Sequence, residues 1–175
     1  MAGLQNADDE LLDDFRRGDA VAFQKLVKRH HLSLFNFFYA LVRNTPVAET
    51  LTQETFGRIL GDRATFHAEY GFRLGLLRAG GENWARYVRR AHELPAMLEE
   101  SAKPGPELDV HRCFEMLPAP LKLVLALSEV SGLSYTEIGC VLDVPAAVVA
   151  ARMNDAYAAL RLRMQAQAPR ARQEP

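Results

Sequence analysis

The clearest pattern of apolar and polar positions lies between Leu117 and Arg161. Ser134, followed three residues later by Glu137, has the spacing of a capping box, in which each side chain satisfies a backbone N–H of the first helical turn. This helix should end at the segment 143–145, because Pro145 fixes φ and has no N–H to donate. A second helix follows, with a buried stripe made of Val149, Met153, Ala156 and Leu160. The pattern therefore predicts short helices that end in a helix-turn-helix.

The face opposite this stripe determines what the motif can contact. In a helix-turn-helix that reads DNA, this face enters the major groove, where polar and basic side chains meet bases and phosphates. Between Ser134 and Met164, three arginines stand against three acidic residues, so we expect this part alone to bind DNA weakly. The residues of the face are Ala147, Val148, Ala150, Ala151, Arg152, Asn154 and Asp155.

The run LPAPLKLVLALSEVSGLSYTEIGCVLDVPAAVVAARMNDAYAALR resembles the C-terminal domain of sigma-70-type initiation factors of the small extracytoplasmic-function group. The resemblance implies a domain that contacts the promoter −35 element through Tyr135, Thr136, Arg152 and Asn154. The positions that match the family pattern are Gly132, Leu133, Ser134, Tyr135, Glu137, Ile138, Leu142, Val144, Pro145, Val149, Arg152, Ala156, Leu160 and Arg161.

The segment from Asp9 to Arg43 has helical periodicity in two stretches, separated by a turn near Gly18-Asp19. Its aromatic residues recur at helical spacing, which is far more typical of a core than of a ligand pocket. The run also resembles the start of the N-terminal sigma domain, so the resemblance covers both ends of the chain. The apolar positions are Leu11, Leu12, Phe15, Phe23, Leu26, Val27, Leu34, Phe37 and Phe38.

A third helix is predicted over Thr45 to Leu60, with Thr45 as its cap and Pro46 at its first position. The segment resembles the family helix that clamps the coiled coil of the largest subunit of core RNA polymerase. The resemblance implies polymerase-binding roles for Glu49, Thr50, Gln53, Glu54 and Phe56.

Two acidic positions of that family motif are Val47 and Thr50 in this chain. The loss of acidic groups weakens the attraction to a basic partner, and a phosphate on Thr50 would restore about −1.5 to −2 charge. We therefore hypothesise activation by a Ser/Thr kinase, with Thr50, Thr52 and Thr55 as candidate phosphorylation sites. The alternative is that threonine is simply tolerated there.

The segment from Arg63 to Arg90 resembles the family region that melts and reads the promoter −10 element. Reading of single-stranded DNA needs aromatic faces beside cations. The implied contacts are Asn83, Trp84, Arg86, Arg89 and Arg90, and Tyr87 could add a stacking surface. Trp84 fits a core position equally well. Gly80-Gly81 lies inside this segment, and each glycine costs roughly 1 kcal/mol in a helix relative to alanine, which predicts a kink or a break.

These elements predict an all-α protein with two small helical domains. Residues 1–91 form the domain for polymerase and the −10 element, 92–109 a Pro/Gly-containing linker, 110–164 the helix-turn-helix domain and 165–175 a disordered tail. No apolar run approaches the roughly 18 residues of a membrane span and the start does not resemble an export signal, so we expect a cytoplasmic protein without a membrane partner. Cys113, Cys140 and the histidines lack metal-ligand spacing, which predicts free thiols and neither metal nor cofactor.

Net charge separates the functional hypotheses. Twenty-one Lys and Arg residues oppose 22 Asp and Glu residues, whereas dedicated nucleic-acid binders are usually basic. The leading hypothesis is a non-enzymatic sigma factor whose partners are core RNA polymerase and promoter DNA, with an anti-sigma factor or a Ser/Thr kinase as regulator. The alternative is a degenerate sigma-like protein-binding module, an anti-sigma or polymerase decoy. Asp155 on the DNA-facing helix favours the decoy, and the Gln53-Glu54 motif favours the sigma factor.

Overall fold

The computed structural model describes residues 2–63, 66, 69–93 and 110–167, and in these ranges the regular structure is entirely helical. The prediction of an all-α fold is confirmed. The helices are α1 (Ala2–Arg17), α2 (Ala20–Val42), α3 (Thr45–Gly61), α4 (Phe72–Glu93), α5 (Val110–Glu115), α6 (Ala119–Leu125), which continues as a π-helical turn (Ala126–Val130), α7 (Tyr135–Leu142) and α8 (Ala146–Gln167).

The chain reverses between α1 and α2 at Gly18 and Asp19, as the sequence predicts. Gly18 adopts φ 106°, which glycine reaches without steric cost. The Asp19 side chain caps α2 by accepting hydrogen bonds from the backbone N–H groups of Val21 and Ala22, at 2.7 and 3.3 Å. The turn brings Phe15 and Phe23 into a ring stack with centroids 4.6 Å apart, which joins the two helices in the core.

The start of α3 differs from the prediction, because Asn44 and not Thr45 is the cap. The Asn44 side-chain oxygen accepts a hydrogen bond from the backbone N–H of Val47 at 3.0 Å, and Thr45 and Pro46 are already helical. Asparagine is at least as good a cap as threonine, and Pro46 tolerates either of the first helical positions.

The predicted kink or break at Gly80-Gly81 is wrong, since α4 continues through both residues as far as Glu93. Close tertiary packing favours a glycine at position 80. A Cβ atom on Gly80 would lie 3.2 Å from Leu34 Cδ1 and 3.4 Å from Phe37 Cε1, so the absence of a side chain lets α4 approach α2 closely. Gly81 is equally buried but faces Leu123 of α6.

The helix-turn-helix forms as predicted from α7 and α8. The Ser134 hydroxyl accepts from the backbone N–H of Glu137, whose carboxylate accepts from the Ser134 N–H at 2.8 Å, so the capping box is confirmed. α7 ends at Asp143 in the left-handed conformation, with φ 55° and ψ 48°. Val149, Met153 and Ala156 of α8 are buried and Leu160 is half-buried, which is the predicted stripe.

The helices before and after residue 94 pack against each other. α4 contacts α6 and α7, and α2 contacts the π-helical turn. A guanidinium N–H of Arg73 in α4 donates to the backbone carbonyl of Ser131, just before α7. The predicted linker was residues 92–109, but residues 92 and 93 belong to α4 and only 94–109 lie outside the described residues. The tail beyond residue 167 also lies outside them, while α8 extends three residues into the segment 165–175 that was expected to be disordered.

Candidate nucleic-acid and protein interfaces

One face of α3 carries the exposed side chains Glu49, Thr50, Gln53 and Glu54. These residues share a face because they recur one helical turn apart, opposite the buried stripe of the same helix. Phe56 does not belong to this surface. It is 6% exposed, and its ring packs edge-on against Phe23 with centroids 6.4 Å apart.

The three candidate phosphorylation sites separate into one accessible and two buried residues. The Thr50 hydroxyl lies at the surface and donates to the backbone carbonyl of Pro46 at 2.9 Å. Thr52 and Thr55 are 0% and 1% exposed, and their hydroxyls donate to the carbonyls four residues earlier in α3, at 2.7 Å each. A kinase can therefore reach Thr50 in the folded protein, but not Thr52 or Thr55.

A cleft of about 200 Å³ separates α3 from the C-terminal half of α4. Thr50 and Glu54 line it from α3, and Tyr87 and Arg90 line it from α4. Burial raises the pKa of the Tyr87 hydroxyl, because desolvation disfavours its charged form. The cleft brings a hydroxyl that can be modified and a cation together, a juxtaposition that the linear sequence did not indicate.

Asn83 and Trp84, which were predicted to contact DNA, are buried in this arrangement. The Asn83 amide donates to the Leu51 carbonyl and to the Thr55 hydroxyl, at 3.1 and 3.2 Å, and so ties α4 to α3. Trp84 is 4% exposed, and within the described residues its indole N–H has no hydrogen-bond partner. Because Trp84 is a core residue, the stacking role considered for it is not available in this conformation.

The three arginines near the C-terminal end of α4 are accessible. Arg89 and Arg90 are exposed and Arg86 is half-buried, with a guanidinium N–H that donates to Asn83 Oδ1 at 3.2 Å. None of them forms an ion pair with another described residue. Guanidinium groups that form no ion pair with a described residue, clustered at one end of a helix, provide a surface suited to phosphate groups.

The helix-turn-helix presents its predicted contact residues unequally. Tyr135 is 41% exposed, Thr136 and Asn154 are exposed, and Arg152 is half-buried at the edge of the face. Asp155 is exposed on the same side of α8, so an acidic group accompanies the single arginine. The face is therefore geometrically open but electrostatically neutral.

Two titratable groups of this domain are shifted by local hydrogen bonds. The Ser134 hydroxyl and backbone N–H donate to the Glu137 carboxylate and hold its pKa below its usual value. The Tyr157 hydroxyl donates to Glu129 Oε1 at 2.7 Å, which raises the pKa of Tyr157 to about 12. Both groups keep their normal charge at neutral pH.

Neither a metal-binding cluster nor a membrane-spanning helix is present among the residues that the structure describes. No group of three or more His, Cys, Asp or Glu side chains is placed to hold a metal ion. No described helix is long and apolar enough to cross a membrane.

The C-terminal part of the chain matches a known family in sequence. Residues 107–160 match the family model for sigma-70, region 4. The chain is 26% identical to the RNA polymerase sigma-H factor of Pseudomonas aeruginosa, over 85% of this chain and 89% of that protein. It is also 26% identical to the ECF RNA polymerase sigma-E factor of Escherichia coli strain K12, over 85% of this chain and 90% of that protein.

Solved structures share the fold. CnrH, determined in complex with the cytosolic domain of CnrY, superposes with a TM-score of 0.70 at 23% identity, over 91% of this chain and 98% of CnrH. The sigma factor RpoE of Bartonella quintana, determined with the anti-sigma factor NepR, gives a TM-score of 0.65 at 19% identity, over 82% of this chain and 96% of RpoE. The region 4 match and the relatives that align with 85% of the chain support a sigma-70 family factor of the extracytoplasmic-function type.

Proposed function

We propose that this protein binds core RNA polymerase through the exposed face of α3 and directs the enzyme to specific promoters. The observation that carries the proposal is the accessible row of Glu49, Gln53 and Glu54, in a chain whose helix-turn-helix matches region 4. Neither carboxylate forms an ion pair with another described residue, so both are available to a basic partner surface.

The proposed DNA contacts come from both parts of the chain. Arg89 and Arg90 would contact phosphates of the −10 region, with Arg86 beside them. Tyr135, Thr136, Arg152 and Asn154 would contact the −35 region from the helix-turn-helix. Asn83 and Trp84 act in this scheme by holding the core behind the arginines, since their side chains are buried.

Polymerase binding is tested by capture of purified core RNA polymerase on the immobilised full chain. We expect Gln53→Ala with Glu54→Ala to lower the affinity at least tenfold, because both side chains are exposed and neither supports the fold. Gln24→Ala with Lys25→Ala is the matched control, because these residues are equally exposed on α2. Equal loss in both double variants, or capture that the first leaves unchanged, would refute the α3 surface.

Phosphorylation of Thr50 is the regulatory part of the proposal. The hydroxyl is accessible, and a phosphate there would add negative charge between Glu49 and Gln53, where this chain lacks an acid. Arg90 lines the same cleft and could pair with the phosphate. We expect Thr50→Glu to bind core polymerase more tightly than wild type, and Thr50→Ala to match unmodified wild type. Equal affinity of all three would remove the switch while leaving the polymerase-binding surface intact.

A second candidate function is that of a protein-binding decoy which occupies polymerase or an anti-sigma factor without reading promoters. The exposed Asp155 on α8 favours it, because a carboxylate facing phosphates is repulsive. The NepR complex of RpoE makes an anti-sigma factor a reasonable partner to test here. A decoy would bind polymerase or an anti-sigma factor but would produce no new transcript from any promoter, whereas the proposed sigma factor would.

A further inference from the structure

The outer face of α8 differs from a typical base-reading surface in the chemistry it offers. Over the first ten residues of the helix, the exposed side chains are Ala146, Ala147, Val148, Ala151, Asn154 and Asp155. Val148 is 37% exposed even though it is flanked by fully buried Val149. The only cation in this stretch, Arg152, is half-buried at the edge, so the centre of the face has methyl groups, one amide and one carboxylate.

This face is open in the folded chain. α8 packs mainly against α5, α6 and α7, and its buried stripe of Val149, Met153 and Ala156 lies on the side opposite the outer face. The main packing between the two halves of the chain involves α6, α7 and the π-helical turn, and not α8. Within the described residues, the outer face of α8 is therefore exposed to solvent.

Each of these side chains favours particular base edges in the major groove. Guanine is usually read by an arginine or lysine that donates to O6 and N7, and no such group occupies the centre of this face. Alanine and valine methyl groups instead pack against the thymine C5-methyl group, and an asparagine amide pairs with adenine N6 and N7. The Asp155 carboxylate can accept from cytosine N4–H but repels the two acceptors of guanine.

We infer that the second domain reads a −35 element built from A·T pairs, through thymine methyl groups against Val148 and Ala151 and adenine against Asn154, and that it rejects guanine opposite these residues. The inference rests on the proposed sigma-factor function. It explains how a helix with little positive charge can still select a sequence, because methyl contacts give specificity without the counterion release that dominates general DNA affinity. The domain as described, residues 110–167, has five basic and five acidic residues, which agrees with a small electrostatic contribution.

The test uses the full chain with core RNA polymerase and a promoter library randomised over the −35 region. We expect the transcribed members to be enriched in thymine and adenine and depleted of guanine on the strand facing α8. In a selected promoter, replacement of a contacted thymine by deoxyuridine removes only the methyl group and should lower initiation roughly fourfold, the equivalent of one buried methyl group. In Val148→Ala that penalty should disappear at one thymine and persist at the others.

Two arginine substitutions on α8, only one of which should change the base preference, provide the control. Ala151→Arg should create a preference for guanine at one position, because arginine can then donate to O6 and N7. Ala158→Arg adds the same charge on the same exposed side, about 10 Å further along α8, and should raise DNA affinity without a new base preference. Selection of guanine by the wild type, indifference to deoxyuridine, or no base preference at all would overturn the inference alone. Absence of initiation from every library member would instead overturn the sigma-factor function on which it rests.

Discussion

Two adjacent glycines in α4 give opposite predictions for the same substitution. Gly→Ala in a helix interior gains about 0.8–1 kcal/mol from helix propensity alone. At Gly81 the new Cβ would lie 3.8 Å from both methyl carbons of Leu123, which is ordinary van der Waals contact, so most of the gain should remain. Gly81→Ala should therefore stabilise the protein by up to about 1 kcal/mol.

At Gly80 the same Cβ would lie 3.2 Å from Leu34 Cδ1 and 3.4 Å from Phe37 Cε1. Both of these side chains are fully buried. Overpacking of this kind costs typically 1–3 kcal/mol, which exceeds the propensity gain. Gly80→Ala should therefore be destabilised, and the two variants should differ by roughly 2 kcal/mol in the free energy of unfolding.

Urea denaturation followed by circular dichroism measures this difference directly, and thermal melting should separate the two midpoints by about 4–8 °C for a chain of this length. The wild type lies between the variants if the account is correct. Equal stabilisation by both substitutions would mean that α4 does not pack closely on α2 at Gly80. Destabilisation by both would indicate that α4 is interrupted there after all.

Three further substitutions test other parts of the structure. Asp143→Gly should stabilise the chain by roughly 0.5–1 kcal/mol, because residue 143 has φ 55° and glycine reaches this region without strain, and the urea midpoint reports it. Asp8→Ala should lower the free energy of unfolding by roughly 1.5–3 kcal/mol, because the buried Asp8 carboxylate accepts hydrogen bonds from Arg29 and His30. Its removal takes away the hydrogen-bond partner that the structure describes for the His30 ring. Asp9→Ala is the control in the same denaturation series, because Asp9 is an exposed neighbour. The pKa of Glu137 is depressed in the folded state, so its contribution to stability is complete above its usual pKa of 4.5 and is lost as pH falls through the lower folded value. The stability difference between wild type and Glu137→Gln should therefore shrink on acidification below about pH 4.5 in melts recorded across pH, and a difference that grows there would contradict the capping-box geometry.

Local signals predicted those features of this protein that depend on neighbouring residues. The capping box of Ser134 and Glu137, the turn at Gly18 and Asp19, and the buried stripe of α8 involve residues within a few positions of one another, and the structure agrees with all three. The cap of α3 was assigned one residue too late because Asn44 and Thr45 are both good caps and the sequence alone does not separate them.

Features that depend on distant residues were not predicted. The break expected at Gly80-Gly81 failed because propensity is a weak term beside close packing with Leu34, which is 46 positions away in the sequence. The contact from Arg73 to the Ser131 carbonyl also joins distant segments and left no trace in the local pattern.

The burial of Thr52 and Thr55, in contrast, could have been predicted from the sequence. Ala48, Leu51, Thr52, Thr55, Phe56 and Ile59 recur at helical spacing, and this periodicity places both threonines in the buried stripe.

The central claim is that this chain makes core RNA polymerase initiate at promoters. The most direct measurement is transcription in vitro, from fragments of the genome that encodes the chain, with mapping of transcript 5′ ends with and without the full-length protein. We expect discrete 5′ ends that appear only when the protein is present and that are lost in the double variant Gln53→Ala with Glu54→Ala. Binding to core polymerase without any new 5′ end would contradict it and would identify the protein as a decoy.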